Sequence, residues 1–440
     1  MVYQQRPPSS LEFLPPLSLQ LTPSRTSPMP PSPPTKGAAT RPPIWWTNGI
    51  FFVAVHVAAV VGAYRRPLWT VPWATIALSY GAWQLGEFGI TIGYHRLYSH
   101  RAFRANFIVR AVLALLDNVV VVRTSIVRST GQDSLSHRCL RHRLHHRFTD
   151  DPVQDPYAAT RGLFYSHMGW IFFKPNYGKL EFVDRNDLDS DPVVRLQHKY
   201  YVPLALSLGL LLPTAIGSLW RDSLGAFVWA GLVSRLAIWH CTFLVNSLAH
   251  WEGLQPYSDE DTSRGNLLLA VLTSGEGNHN FHAFPHDYRS GPSILDWDPS
   301  KWVIILLHQL GLVRGLRRAR KDDLIEALEY MQHKNESESS QPEEWVGETW
   351  TIDQVTEYAV KHERRCILVV NGYAVDVTSY LGEHPGGASL LRKCAVKKRS
   401  NQVHDASWAF SGGLNNHSRA ARKRLVTLAL ARLVDNNPTI

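Results

Sequence analysis

Four short stretches of the 440-residue chain concentrate histidine. GYHRLYSHR carries His95 and His100, and RHRLHHR carries His142, His145 and His146. NSLAH pairs Asn246 with His250, and GEGNHNFHAFPHDYRSG carries His279, His282 and His286. Imidazole is a borderline ligand that suits iron, zinc and copper. One histidine alone is usually a surface or hydrogen-bonded core residue, so the weight rests on the clusters together. On a helix His142 and His146 share a face at i,i+4 with His145 beside them, and Asn246 and His250 have the same spacing. Eight histidines exceed what one zinc site uses and fit two metal ions side by side. Asn246 is a neutral amide and suits holding a water that in turn binds metal. His286 follows Pro285, out of step with His279 and His282, and is set apart from the ligands.

Elements must bring these stretches together. Apolar runs at 45–64, 68–90, 201–220 and 224–245 each approach the ~20 residues that cross a bilayer. The connectors 65–67 and 221–223 are too short for anything but two helical hairpins. By parity the N-terminus, residues 91–200 and everything after 246 share one side. That side holds most of the Lys and Arg, so it reads as cytosolic; Arg65 and Arg66 run against the rule. All four histidine clusters lie on that side and can converge beneath the hairpins.

The formal net charge of +9 then sits on a cytosolic face. It suits anionic headgroups or the anionic head of a substrate. The charge is spread rather than set in a nucleic-acid-binding motif, so no nucleic-acid partner is expected. Four cysteines without paired spacing point to reduced thiols. Residues 1–43 form a Pro-rich tail without a cleavable signal pattern and are expected to be disordered. HKNESESSQPEE marks a linker at 331–347. Beyond it, strand-like runs such as RCILVVNGYAVDVTSYL and a helical tail give a small second domain at 348–432. YLGEHPGGASL places His384 in a His-Pro-Gly-Gly turn, and AFSGGLNNHSRAARKRL supplies His417. His404 competes with His417 in less fitting surroundings.

GITIGYHRLYSHR, HRLHHRFTDDPVQDPY, RGLFYSHMGW and NSLAHWEGLQPYSD together resemble the membrane acyl-CoA desaturases, specifically the fungal stearoyl-CoA delta-9 type. The likeness covers about 44–330, and 348–432 is similar to cytochrome b5. The fold implied is mainly α: a four-helix transmembrane core with a cytosolic helical cap, plus a small α+β haem-binding domain. The resemblance implies two non-haem irons held by His95, His100, His142, His145, His146, Asn246, His250, His279 and His282, and haem b held by His384 and His417. It implies insertion of a cis double bond into stearoyl- or palmitoyl-CoA, with O2 and with electrons from an NADH-cytochrome b5 reductase. The setting implied is the endoplasmic reticulum membrane, with both cofactor domains cytosolic. Lys174 and Arg161 are candidates for the CoA phosphates, with Arg289 a weaker one; Glu87 and Gln84 stand late in the second span.

Two departures from the family pattern stand out. The third box reads H-x-x-H-H in the family, whereas HNFHAFP has a single histidine at the pair, which leaves one iron short of a ligand. Residues 119–141 lack the family's Gly–Ser, tryptophan pair and Arg–Asp, which alters the CoA site. Two further readings follow: an impaired relative with the fold but little activity, and a membrane haem protein that only relays electrons.

Overall fold

A computed structural model describes residues 42–434 apart from 119–133, 175, 335–344, 385, 397–402 and 415–416. The tail before residue 42, most of the linker and the first part of the divergent segment lie outside the described residues. Helix α1 (Trp46–Arg65) is followed by a 3-10 turn at Leu68–Thr70 and by α2 (Trp73–Phe88). The second hairpin is a helix from Tyr201 to Ser218, then one from Ser223 through Asn246. Three helices, Trp46–Arg65, Tyr201–Ser218 and Ser223–His250, are long and apolar enough to cross a membrane. Their outer faces expose Ile50, Val57, Val60, Leu211 and Leu212, large apolar residues that water would not tolerate in such a row. The protein is a membrane protein.

The hairpins are joined at the end remote from the histidines. Arg66 pairs with the buried Asp222, which also accepts from Thr75 Oγ1 at 2.7 Å and caps its own helix at Gly225. Trp229 Nε1 donates to the Arg66 carbonyl at 2.8 Å. One of the two arginines that break the charge rule is thus neutralised by a partner on the other hairpin.

Helix α2 does not stop where the apolar run ends. It passes into eleven π-helical residues, Gly89–Ser99, all buried. Gly89 lets this segment meet α3 (Phe107–Asp117), because a Cβ there would lie 2.6 Å from the Asp117 backbone nitrogen. Helix α4 (Leu135–Arg147) carries the second histidine cluster beneath it. Most of α4 is buried although it is rich in arginine, and two of those charges are met by carboxylates: Arg138 pairs with the buried Asp117, and Arg143 pairs with Asp187 at 2.7 Å.

The C-terminal unit is a four-stranded sheet. Glu348–Trp350 runs parallel to Ala429–Leu433, which is antiparallel to Tyr373–Asp376, itself antiparallel to Ile367–Val370. Its two faces bury separate cores, one around Leu368, Val370 and Val375, the other around Val355, Val369 and Ala374. This is the period-2 alternation of a sheet covered on both sides. The architecture is mainly helical with a small sheet-containing unit at its end.

Candidate metal centre and haem pocket

His95 and His100 are five residues apart. On an α-helix that spacing separates side chains by about 140°. The π-helical turn, with its i→i+5 bond, brings them back to one face. The His100 N–H donates to the His95 carbonyl at 3.0 Å, and the two Nε2 atoms lie 3.1 Å apart. From α4, His142 Nε2 approaches His100 Nε2 at 2.9 Å and His146 Nε2 at 3.1 Å. His282 Nε2 approaches His95 Nε2 at 3.2 Å. The five ligand atoms lie within 4.8 Å of one another.

A neutral imidazole has one proton for two nitrogens, so a chain of Nε2 atoms must alternate bare and protonated members. A cation at the centre takes every lone pair at once. Burial first, then the neighbouring imidazoles, holds His100, His142, His146 and His282 well below the ordinary histidine range, so they are neutral donors. The residues present therefore fit a metal ion, and an all-imidazole set suits iron.

His145, His250 and His279 form a looser trio beside this group. Ring centroids are 5.9 Å apart for His145 and His250, 5.0 Å for His250 and His279, and 5.2 Å for His279 and His282. Hydrogen bonds on the far side fix the tautomers, as is usual behind metal-binding histidines. Asp155 Oδ1 accepts from His145 Nδ1 at 2.8 Å; burial opposes the charged form, but this carboxylate raises the His145 pKa. Thr262 gives its hydroxyl proton to Asp150 at 2.9 Å and so accepts from His250 Nδ1 at 2.9 Å, leaving His250 Nε2 bare and buried without a partner. Glu276 Oε2 stands 3.2 Å from His95 Nδ1 while its other oxygen binds Arg96. Burial works against the Glu276 charge, yet His95 and Arg96 bring its pKa down to about 2.

Two expectations change. Asn246 and His250 do not share α-helical geometry: within the span ending at His250 the α-helix stops at Asn246, Ser247 breaks it at φ −120°, and Leu248–His250 form a 3-10 turn. The Ser247 hydroxyl donates to the Phe243 carbonyl at 2.9 Å, an i−4 back-bond of the kind that weakens and bends a helix. Asn246 instead lies on the wall of a cavity with His95 and His142. The end of the divergent segment is ordered within α4, where Arg138 and Arg141 line that same cavity. Arg141 binds the Tyr157 hydroxyl at 2.5 Å and lies 4.7 Å from the Trp170 ring centroid. Their spacing of three on one face with His142 and His145 was a visible signal that the sequence reading missed.

The cavity reaches away from the histidines between Ile90, Thr91, Thr242, Phe243 and Val245, with Glu87 buried in its wall. Gln84 turns aside to Ser274 Oγ at 2.7 Å. Lys174 and Arg161 are both exposed and outside the cavity lining. Each stands four residues after a lining residue, Trp170 and Tyr157, and Arg161 stacks 3.5 Å over the Tyr165 ring. Arg289 is occupied by Asp287 at 2.7 Å. His286 is not among the converging nitrogens.

In the C-terminal unit the His384 and His417 rings face each other, centroids 6.4 Å apart and planes within 18°. Gly387, at φ +86°, turns its carbonyl back to accept from His384 Nδ1 at 3.2 Å. Only glycine adopts that backbone freely, which is what the His-Pro-Gly-Gly turn supplies. The Phe410 carbonyl accepts from His417 Nδ1 at 2.8 Å. Both Nε2 atoms are thereby left bare, the donor set for a haem iron held from two faces.

Fold and sites together define a membrane metalloprotein with a haem domain at its end. Residues 67–286 match the fatty acid desaturase family, and 351–434 match the cytochrome b5-like heme/steroid binding domain. The chain belongs to the fatty acid desaturase family. It is 36% identical over 352 residues to Acyl-CoA desaturase 1 of Saccharomyces cerevisiae, covering 79% of this chain and 66% of that protein. It is 32% identical over 390 residues to a probable acyl-CoA desaturase of Schizosaccharomyces pombe, covering 88% and 77%. The Delta(9)-fatty-acid desaturase fat-7 of Caenorhabditis elegans is 36% identical over 291 residues, covering 64% and 81%.

Proposed function

We propose that this chain is an acyl-CoA delta-9 desaturase that places a cis double bond in stearoyl- or palmitoyl-CoA. The observation that carries the reading is the convergence of five imidazole nitrogens, two of whose residues, His95 and His142, line a mostly apolar cavity. An unactivated methylene yields no proton to any side chain, so iron bound here would supply an oxidant made from O2. His95, His100, His142, His146 and His282 would hold one iron, and His145, His250 and His279, with Asn246 through a water, would hold the second. Glu276, Asp155 and Thr262 keep the ligand tautomers fixed. Ile90, Thr91, Thr242 and Val245 hold an acyl chain with one methylene pair beside the histidines and keep water away. Lys174 and Arg161 meet the CoA phosphates outside the cavity.

His384 and His417 would hold haem b, which would carry single electrons from an NADH-cytochrome b5 reductase to the core. Fusion to the core replaces a bimolecular encounter by a high effective concentration. The setting is the endoplasmic reticulum, with the histidine sites and the haem unit on the cytosolic face. The test is incubation of purified protein with stearoyl-CoA, NADH, O2 and the reductase, followed by gas chromatography of the fatty acids. A 9,10-cis product is expected. Haem that reduces with NADH in a protein that binds no iron and forms no product would leave only an electron relay.

A further inference from the structure

The haem-binding unit meets the desaturase core through the segments that flank its own two ligands. Gly387, three residues after His384, lies so close that a Cβ there would stand 2.7 Å from Asp184 Oδ2 and 3.8 Å from Arg101 Nη1. The Gly412 carbonyl, five residues before His417, accepts from Lys179 Nζ at 3.2 Å. Arg419, two residues after His417, donates its backbone N–H to the Glu260 carboxylate. Its guanidinium carbon stands 3.3 Å from the Tyr330 ring centroid, and Lys423 pairs with Glu326 at 2.8 Å. Residues four apart are neighbours on a helix surface. Arg419 and Lys423 on the helix Arg419–Thr427 therefore meet Tyr330 and Glu326 on the helix Lys321–His333 as two matched pairs. The second helix is tied to the core at its end, where Lys334 pairs with Asp259 at 2.9 Å.

The charges across this seam are opposite. Arg419–Thr427 carries Arg419, Arg422, Lys423 and Arg424 and no carboxylate. Lys321–His333 carries Asp322, Asp323, Glu326 and Glu329 against Lys321 alone, and Glu260 and Asp184 stand beside the same seam. Apolar packing does not join the two sides. Among the described residues, the haem unit's apolar clusters hold nothing before Trp350, and the core's hold nothing after Leu316. Lys423 and Glu326 are both exposed. Exposed ion pairs of this kind are weak and are screened by salt.

We propose that the seam is a reversible ionic dock, in which the Arg419–Thr427 helix seats on Glu260, Glu326 and Tyr330, and that the haem unit leaves it to meet the reductase. The inference rests on the function proposed above. The docked face is the one whose segments carry His384 and His417, and it lies against Arg101, next in the chain to His100. The core and an external reductase therefore compete for one face of the haem unit. A contact held by screened charges lets that face change partners, which a large shared apolar interface would prevent.

The test uses the full chain loaded with haem and iron. A water-soluble carbodiimide joins an amine to a carboxylate in contact, so it locks Lys423 to Glu326. Treatment is at about 0.01 M and about 1 M salt, where screening lengths are about 30 and 3 Å. The linked peptides are counted by mass spectrometry against the Lys334–Asp259 link, which does not cross the seam. The Lys423–Glu326 yield should fall by about fivefold at high salt, the value of one good exposed pair. Reagent and salt are then removed, and NADH and the reductase are added without O2. The amplitude of haem reduction should fall by the fraction of chains locked, while dithionite still reduces all of it. Lys423→Ala cannot form the link, so treatment should leave that variant at its own untreated amplitude. A Lys423–Glu326 yield that salt leaves unchanged, or no such link at low salt, overturns the ionic dock. Full amplitude in locked chains, or an equal loss in treated Lys423→Ala, overturns the competition for one face. Untreated chain whose haem is reduced but which forms no product from stearoyl-CoA in air overturns the desaturase reading, while the cross-link yield judges the dock independently.

Discussion

Glu276→Gln isolates what the side chains behind the metal contribute. Glu276 divides its carboxylate: Oε1 accepts from Arg96 at 3.0 and 3.1 Å, and Oε2 faces His95 Nδ1 at 3.2 Å. Glutamine has one acceptor and one donor for these two positions. With its oxygen toward Arg96, its NH2 faces His95 Nδ1, and two donors meet unless His95 moves its proton to Nε2. That proton would then point into the group of five nitrogens. With the amide reversed, its NH2 meets the Arg96 guanidinium instead. Arg96 keeps Asp298 at 2.9 Å and the Tyr288 carbonyl at 2.9 Å, so the fold survives while the ligand tautomer does not. Losing such a partner costs about 10–100-fold in metal affinity, roughly 1.4–2.8 kcal/mol at 1.4 kcal/mol per tenfold. The assay is iron per haem by mass spectrometry after dialysis against graded chelator, with haem as the internal measure of folded protein. Iron retained at wild-type chelator concentrations would refute the reasoning.

Three further outcomes are expected. His384→Ala or His417→Ala should abolish the Soret band while iron content holds, because the two sites share no ligand. Gly89→Ala drives a Cβ into the Asp117 and Leu116 backbone at 2.6 and 2.7 Å; overpacking of this kind costs about 1–3 kcal/mol, read as a lower melting temperature and lower iron content. Asp155→Asn acts on a histidine whose folded pKa is raised, so the pair stabilises metal-free protein below the unfolded histidine value, and that stability is lost as pH rises through the folded one. The melting temperature of metal-free D155N should therefore fall further below wild type at pH 6 than at pH 8.5; an equal deficit at both would remove the charge from the argument.

The histidine stretches were legible because ligand chemistry leaves few residue types to choose from, and the helical hairpins because a bilayer sets a length. What escaped the sequence has two physical origins. One is backbone periodicity: nothing in GITIGYHRLYSHR announces i→i+5 bonding, yet that alone turns His95 and His100 to one face. The other is distance along the chain. Glu276 is 181 residues from His95, and Asp222 is 156 from Arg66, so both partners are set by how the hairpins and cap pack rather than by any local pattern. Arg138 and Arg141 were passed over for a different reason. They stand in a segment judged by its likeness to a family pattern, although their own helical spacing pointed at the site.

The shortened third histidine stretch shows how backbone periodicity bears on ligand number. His279–Ala283 is a 3-10 turn, in which residues three apart eclipse and rise by about 6 Å. His279 and His282 therefore lie on one side, rings 5.2 Å apart, the first beside His250 and the second within the group of five. One eclipsed pair thus serves both groups. The next position, Ala283, is turned away by about 120° in such a helix and is exposed. A histidine there would leave the line the other two define, so the single histidine keeps the link between the two groups. Phe281, fully buried between the two histidines in sequence, fixes the turn that aims them.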